Sequence, residues 1–255
     1  MSEHVLTKIR DSVLTLRLQR PEKKNALTRD MYLALTAALD QAAVSDAVRV
    51  VVITGGAEVF TAGNDLEDFL ADPPRDMDAP VLRFLAALAT CPLPLVAAVN
   101  GVAIGIGTTL LLHCELVYAG SRARFQLPFV NLGLVPEAAS SLLLPRLAGY
   151  QRAAELLLLG EPFDAARAAA LGLVNAVTDP EQVEAMALAA ATALSQKPRT
   201  ALRATKALLK SDTGRTLARI NEEAVAFIAR LGSAELREAV LAFREKRAPD
   251  FSQLS

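Results

Sequence analysis

The sequence predicts an α/β protein with a largely parallel sheet and a helical C-terminal lobe. Three observations carry this. Apolar runs of strand length, such as "VVVIT" and "LVAAV", recur between segments with helical spacing. Glycine, proline or a capping residue marks most changes of pattern. Beyond Pro180 every apolar pattern is helical.

In chain order, Leu14, Leu16 and Leu18 alternate with Thr15 and Arg17, which predicts a strand. "RPEKKNALT" follows as a turn. Thr28 is placed to cap a helix carrying Met31, Leu35 and Leu39 on one face. "RVVVIT" is a buried strand ending at Gly55-Gly56, and "LVAAV", Leu95 to Val99, is another. "ELVYA" and "ARFQL" predict two more. "QRAAELLLL" is helical and stops at Gly160; Asp164 caps "DAARAAAL", which stops at Gly172; "LVNAV" is a short strand. Four helical segments follow, "PEQVEAMALAAATALSQ", "RTALRATKALLKS", "TLARINEEAVAFIARL" and "SAELREAVLAFREKR". We divide the chain into a core, residues 1–195, and a helical lobe, residues 196–255, suited to packing on the sheet domain or on another subunit.

The bulk numbers exclude several classes of function. At 255 residues and 52% apolar there is ample material for a core. A net charge of −1 without a basic run gives no support for binding nucleic acid or an anionic membrane. Two cysteines, Cys91 and Cys114, make neither a disulfide framework nor a metal cluster. "MSEHVLTKIRDS" lacks an apolar signal core, so a cytoplasmic, reduced protein is expected. The uncharged run between Arg83 and Glu115 is broken by prolines and glycines. It reads as a buried strand, a glycine-rich turn and a buried helix rather than a membrane span.

Three places can carry chemistry. Phe125 to Pro145 contains one charged residue, Glu137, directly after Pro136. Either Pro136 opens a helix and Glu137 complements its dipole, or the carboxylate is kept dry as a proton carrier. "FTAGNDLEDF" puts Ala62-Gly63-Asn64 just before a helix start at Asp65, and Gly105-Ile106-Gly107 precedes another helix. Each turn is either a simple chain reversal or a source of free backbone amides for a developing negative charge. Other sites fail. His113 reads as a satisfied core histidine, His4 is near a terminus, and Ser140 and Ser141 read as small helix-packing residues. Glu67 and Asp68 read as a solvated helix face. No nucleophile elbow, Walker loop or zinc motif is present. "EDFLADPPRDMDAP" is either a lid or a solvated loop.

Taken together and in order, "RPEKKNALT", "VVVITGGAEVFTAGNDL", the long segment from "PLPLVAAVNGVAIGIGTT" to "LGLVNAV", and "AFREKRAPDF" resemble the crotonase superfamily, the enoyl-CoA hydratase/isomerase group, over nearly the whole chain. The resemblance implies a spiral of β-β-α units with a helical C-terminal lobe, assembled as a homotrimer or dimer of trimers. It implies an acyl-CoA thioester substrate and no cofactor or metal. It places two oxyanion-binding amides at Asn64 and Ile106, with Ala62, Gly63, Asp65, Leu66 and Gly105 around them. It makes Lys24 and Ala26 candidates for holding coenzyme A, joined by Phe243 and Lys246 from a neighbouring subunit. Lys246 is otherwise an exposed helix charge. Ile106 departs from the family's usual glycine.

The acids decide the branch. Typical hydratases carry two glutamates where this chain has Thr109 and Phe129, and neither can activate water. Glu137, in "LGLVPEAASS", matches the single glutamate of the Δ3,Δ2-enoyl-CoA isomerases. The resemblance therefore implies an isomerase that moves a 3-double bond to the 2-position with one carboxylate. The alternatives are a hydratase or other crotonase-type reaction using Glu137 differently, and a non-catalytic acyl-CoA binder.

Overall fold

In the computed structural model, which describes residues 2–254, the chain begins as a hairpin, β1 (Val5–Arg10) and β2 (Val13–Leu18). The strand expected at Leu14–Leu18 is β2, with its apolar residues buried. β1 has no sequence signature because five of its six side chains are exposed. Thr28 caps α1 (Arg29–Val44) as expected, its Oγ1 accepting from the Met31 amide, and Met31, Leu35 and Leu39 are buried. β3 (Val50–Thr54) is wholly buried, the mark of a central parallel strand.

Asp65 caps α2 (Leu66–Ala71), and Pro80 stands in the first turn of α3 (Pro80–Thr90). The segment "EDFLADPPRDMDAP" is thus part helix and part loop. Its Asp72 pairs with Arg29 and its Asp68 accepts from the Arg29 amide. The uncharged run then divides more finely than expected, into β4 (Leu95–Val99), β5 (Val102–Ile104), a four-residue α4 (Ile106–Thr109) and a 3-10 turn ending at His113. β6 (Leu116–Gly120) and β7 (Arg124–Gln126) follow. After them come α5 (Ser140–Ala148), α6 (Tyr150–Leu159), β8 (Phe163–Asp164), α7 (Ala165–Ala170) and β9 (Ala176–Thr178). The Gly160 stop and the Asp164 cap are as expected. α8 (Val183–Ser195), α9 (Arg199–Leu209), α10 (Thr213–Leu231) and α11 (Ala234–Glu245) complete the chain.

From β4 to β7 the strands alternate between two sheets. The large sheet runs β1-β2-β3-β4-β6-β9, parallel except for the β1–β2 hairpin. The small one runs β5-β7-β8. Because β4 and β6 feed the large sheet while β5 and β7 feed the small one, each unit crosses between layers at a turn. One face of the large sheet is covered by α8, whose Val183, Ala187 and Ala191 meet Val50, Val52 and Val96. The other face belongs to the main core, which α10 joins through Ile220, Ala224 and Phe227. No described helix is long and apolar enough to cross a membrane.

One buried side chain ties the loops of this frame together. Asn25 adopts φ +54°, and its Nδ2 donates to the carbonyls of Gly55, Val59 and Phe60 at 3.0–3.1 Å. Its Oδ1 accepts from the Arg20 amide, and its own carbonyl accepts from Thr61 Oγ1 at 2.6 Å. Asn25→Ala leaves these buried carbonyls unpaired, and urea unfolding should show it less stable by roughly 2 kcal/mol or more.

Candidate active site

Three backbone turns meet beside the small sheet. Lys24, in the left-handed region at φ +51°, offers its carbonyl to the Ala62 amide at 2.9 Å. Leu27 donates to Gly63 and accepts from Asp65, so the "KKNAL" turn and the Ala62–Asp65 turn form one short parallel bridge. On the other side, Thr61 accepts from Ile104 and donates to Val102. Two glycines make this approach possible. A Cβ on Gly63, which has φ +93°, would lie 2.8 Å from the Ile104 carbonyl oxygen. A Cβ on Gly107 would lie 2.7 Å from Thr61 Cγ2. The fold therefore brings together the two glycine turns singled out in the sequence. Most neighbouring amides of the two turns are engaged: Ala62 to Lys24, Gly63 to Thr61 Oγ1, Asp65 to Leu27 and Gly105 to Gln126, with Gly107 the exception among the described residues. Among the described residues, the amides of Asn64 and Ile106 have no acceptor.

The remaining predicted residues divide. Ala26 is buried, and its carbonyl accepts from Arg20. Asp65 turns its carboxylate inward, capping α2 and pairing with Arg20 at 2.5 Å, which holds it below the ordinary carboxylate range despite partial burial. Any contact it makes with a ligand falls to its backbone. Leu66 opens α2. Gly105 stands before α4 at φ +54°. Phe243 and Lys246 lie on and just after α11; Phe243 is 73% exposed and Lys246 is exposed with φ +54°.

Glu137 is 6% exposed and makes no side-chain hydrogen bond among the described residues; its Oε1 is fully buried. It does not sit in a helix's first turn behind Pro136. α5 starts three residues later, after Ala138 and Ala139 at φ +62° and +57°. Two consecutive alanines in the left-handed region cost roughly 1–2 kcal/mol each, so the surroundings must impose the turn. They do. Glu223 of α10, itself buried, accepts from the amides of Ala139 at 2.6 Å and Ser141 at 2.9 Å, and from Ser141 Oγ at 2.5 Å. The Ser140 amide donates to the Glu137 carbonyl. His113 Nε2 lies 2.8 Å from the Ala138 carbonyl and must donate to it, since a carbonyl only accepts. The carboxylate that complements the α5 dipole is thus Glu223, which leaves that of Glu137 free of this duty.

Glu137 lines a small, partly enclosed cavity of about 10 Å³, at the lower limit of room for one water. Its walls are Val81, Leu82 and Leu85 from α3 and Ile220, Ala224 and Phe227 from α10, with Phe69 set edge-on against Phe227. Phe69 and Val81 also line a more open cavity of about 230 Å³ that includes Arg29 and Tyr32. Burial among apolar groups, and secondarily the charge of Glu223, raises the Glu137 carboxyl to about 8. Tyr32 links the two halves of the site: its hydroxyl donates to Asn64 Oδ1. Burial first, and then the nearby charge of Glu137, pushes its phenol well above the ordinary range. His113 is lowered to about 4, by burial first and then by Lys210, so it is a neutral donor. Thr109 and Phe129, where the resemblance places hydratase acids, are both buried. Among the described residues no group of three His, Cys, Asp or Glu side chains is arranged to hold a metal ion.

The enoyl-CoA hydratase/isomerase family model matches residues 8–254. The chain belongs to that family. As a member of the enoyl-CoA hydratase/isomerase family it is 36% identical to the 1,2-epoxyphenylacetyl-CoA isomerase of Escherichia coli K12, with 99% of each chain covered. It is 35% identical to the enoyl-CoA delta isomerase 2 of Rattus norvegicus, covering 95% of this chain and 63% of that protein. The crystal structure of an enoyl-CoA hydratase/isomerase from Pseudoalteromonas atlantica T6c superposes with a TM-score of 0.93 at 42% identity, covering 98% of this chain and all of that one. The two-sheet arrangement described above is therefore the crotonase fold, and the chain is an enzyme of this family.

Tyr32, Asn25 and Glu223 escaped the sequence reading. Tyr32 and Glu223 occupy ordinary helical positions, and nothing local marks either as facing the site. Asn25 was hidden in a turn where asparagine is common.

The raised value for Glu137 has a consequence for stability. The folded protein keeps this proton to about pH 8, whereas the unfolded chain releases it near the ordinary 4.5. Folding therefore takes up a proton between these values. The stability contributed by the neutral carboxyl is complete below the lower value and lost as pH rises through the upper one. Thermal denaturation of wild type and Glu137→Gln should diverge across this window, with the variant increasingly the more stable as pH rises.

Proposed function

We propose that the enzyme moves the double bond of a 3-enoyl-CoA to the 2-position, with Glu137 as the single proton carrier. The observation that carries this reading is an unpartnered carboxyl group lining an apolar cavity, linked through Tyr32 to the first of two turns whose Asn64 and Ile106 amides are unengaged among the described residues.

In this reading the thioester carbonyl lies against the Asn64 and Ile106 amides. Glu137 takes a proton from C2. The electron pair moves onto the thioester oxygen, and the two amides stabilise the resulting enolate. Neutral Glu137 then returns the proton to C4, the C3–C4 double bond shifts to C2–C3, and the carboxylate is regenerated. One group serves both steps, so its affinity must suit both the taking and the giving of the proton. A value near 8 keeps the neutral form populated for donation while leaving a usable carboxylate fraction near neutrality. The apolar walls keep water from the enolate, and so from competing protonation. Hydration has no second acid to call on, because Thr109 and Phe129 occupy those places.

Coenzyme A lies along the "KKNAL" turn in this reading, beside Lys24 and Ala26. The exposed Phe243 and Lys246 contribute to a neighbouring subunit's site in a trimer or dimer of trimers. The acyl group enters past Tyr32 and Phe69, from the open cavity toward the smaller one. Asp65 and Leu66 shape the wall beside the Asn64 amide.

The test is a side-by-side assay of 3-enoyl-CoA and 2-enoyl-CoA, following the conjugated thioester and the 3-hydroxy product. Wild type should convert the first and leave the second unhydrated. Glu137→Gln should fold and lose isomerisation by about 10²–10⁴-fold. Retained activity in the variant removes Glu137 from the mechanism.

A further inference from the structure

Resting on the reading above, we propose that Glu223, a side chain of the C-terminal lobe, is a positioning residue for the reaction: by binding the amides of Ala139 and Ser141 it holds the turn that aims the Glu137 carboxyl into the cavity. The turn cannot hold itself. Ala138 and Ala139 both stand in the left-handed region, which alanine leaves when unconstrained. The constraints come from outside the segment and from both sides. His113 Nε2 pulls on the Ala138 carbonyl, and Glu223 binds the next amides along.

All three hydrogen bonds at Glu223 are donated to it: Oε2 accepts from Ala139, and Oε1 accepts from Ser141 N and Ser141 Oγ. Burial raises the Glu223 carboxyl and the bonds from Ser141 and Ala139 oppose that rise, a pattern of three accepted bonds that suits an ionised carboxylate. Arg219, one turn earlier on α10, donates to the same Ser141 Oγ at 3.2 Å and supports the charge. A buried carboxylate aimed at the first amides of α5 is worth more than an exposed cap, because water does not compete.

The same helix forms the cavity wall. Ile220, Ala224 and Phe227 surround Glu223 in sequence and line the cavity that Glu137 also lines. Arg230, two turns further, donates to the Gly133 carbonyl upstream of the same loop. α10 thus sets both the direction of the carboxyl and the shape of its surroundings.

Glu223 also acts through its charge. The titratable groups coupled to Glu137 are Glu223 on α10 and Tyr32 on α1, while neutral His113 on the 3-10 turn and Arg219 on α10 reach its loop through the Ala138 carbonyl and Ser141 Oγ. α2 contributes Asp68, whose charge bears on Tyr32. α3 presents Val81, Leu82 and Leu85. Of these, Glu223 is the charge that disfavours ionisation of Glu137.

The test uses full-length Glu223→Gln, Glu223→Asp and Ser141→Ala beside wild type and Glu137→Gln. Carboxyl-¹³C glutamate labelling follows the Glu137 resonance, identified by its absence in Glu137→Gln. Its titration midpoint should fall by roughly one unit in Glu223→Gln, where the charge is gone. It should hold near wild type in Glu223→Asp, where the charge remains. In the isomerase assay both variants should lose kcat by about tenfold or more, with KM within about twofold, because aim is lost and binding is not. Ser141→Ala, which removes one of three donors, should lose kcat severalfold. If Glu223→Gln does not fold, Glu223→Asp and Ser141→Ala decide the matter on the kcat-against-KM split. An unmoved midpoint in Glu223→Gln, or wild-type kcat in the folded variants, overturns the proposal. Failure of wild type to isomerise 3-enoyl-CoA overturns the functional reading instead, and the NMR titration then still judges the Glu223–Glu137 coupling.

Discussion

A carboxyl group enclosed by hydrocarbon, with no hydrogen-bond partner, is the constraint on which this structure depends. Placing it there is unfavourable, since water solvates a carboxylate far better than leucine and phenylalanine do. The protein answers by shifting the group toward its neutral form, and by engaging several polar neighbours elsewhere. The α5 amides belong to Glu223, the Ala138 carbonyl to His113, and the Asn64 side chain to Tyr32. Among the described residues, the Glu137 carboxyl and the main-chain amides of Asn64 and Ile106 are among the groups left unengaged. An enolisation needs the same inventory.

The crotonase fold supplies this inventory through its alternation between two sheets. Each crossing from large sheet to small sheet is a turn, and successive turns stack. The Ala62–Asp65 turn and the Gly105–Gly107 turn touch because glycine stands where any side chain would collide with backbone or with Thr61. The loop bearing Glu137 arrives from a third crossing. It is finished only when α10 docks, since α10 brings the cap, the cavity wall and the contact to Gly133. The C-terminal helices are therefore continuous with the core in packing terms, although composition separates them from it.

The fold was legible in the sequence wherever one period dominated. β3 and β4 were readable as short, wholly apolar runs, and α1, α6 and α7 by their caps and stops. β1 was not, because an edge strand with five exposed side chains shows no alternation. α3 was not read because most of it lies in the uncharged run, ahead of Pro92 and Pro94, which mark the start of β4. At the site, Glu137 stood out because it was the one charge in twenty-one residues. The glycine turns stood out by spacing. The local reading of Pro136 as a helix opener failed because tertiary contacts impose two left-handed alanines that no propensity favours. Glu223 was invisible for a related reason: its role exists only across a gap of more than eighty residues.

The account's central claim is that one buried side chain carries the same proton from one carbon to the other. The most direct measurement is a single turnover of 3-enoyl-CoA deuterated at C2, run in ordinary water, with the product's C4 position read by mass spectrometry and NMR. A sheltered carrier predicts that a measurable share of the label arrives at C4. Product formed with its new C4 hydrogen drawn wholly from solvent would contradict the account.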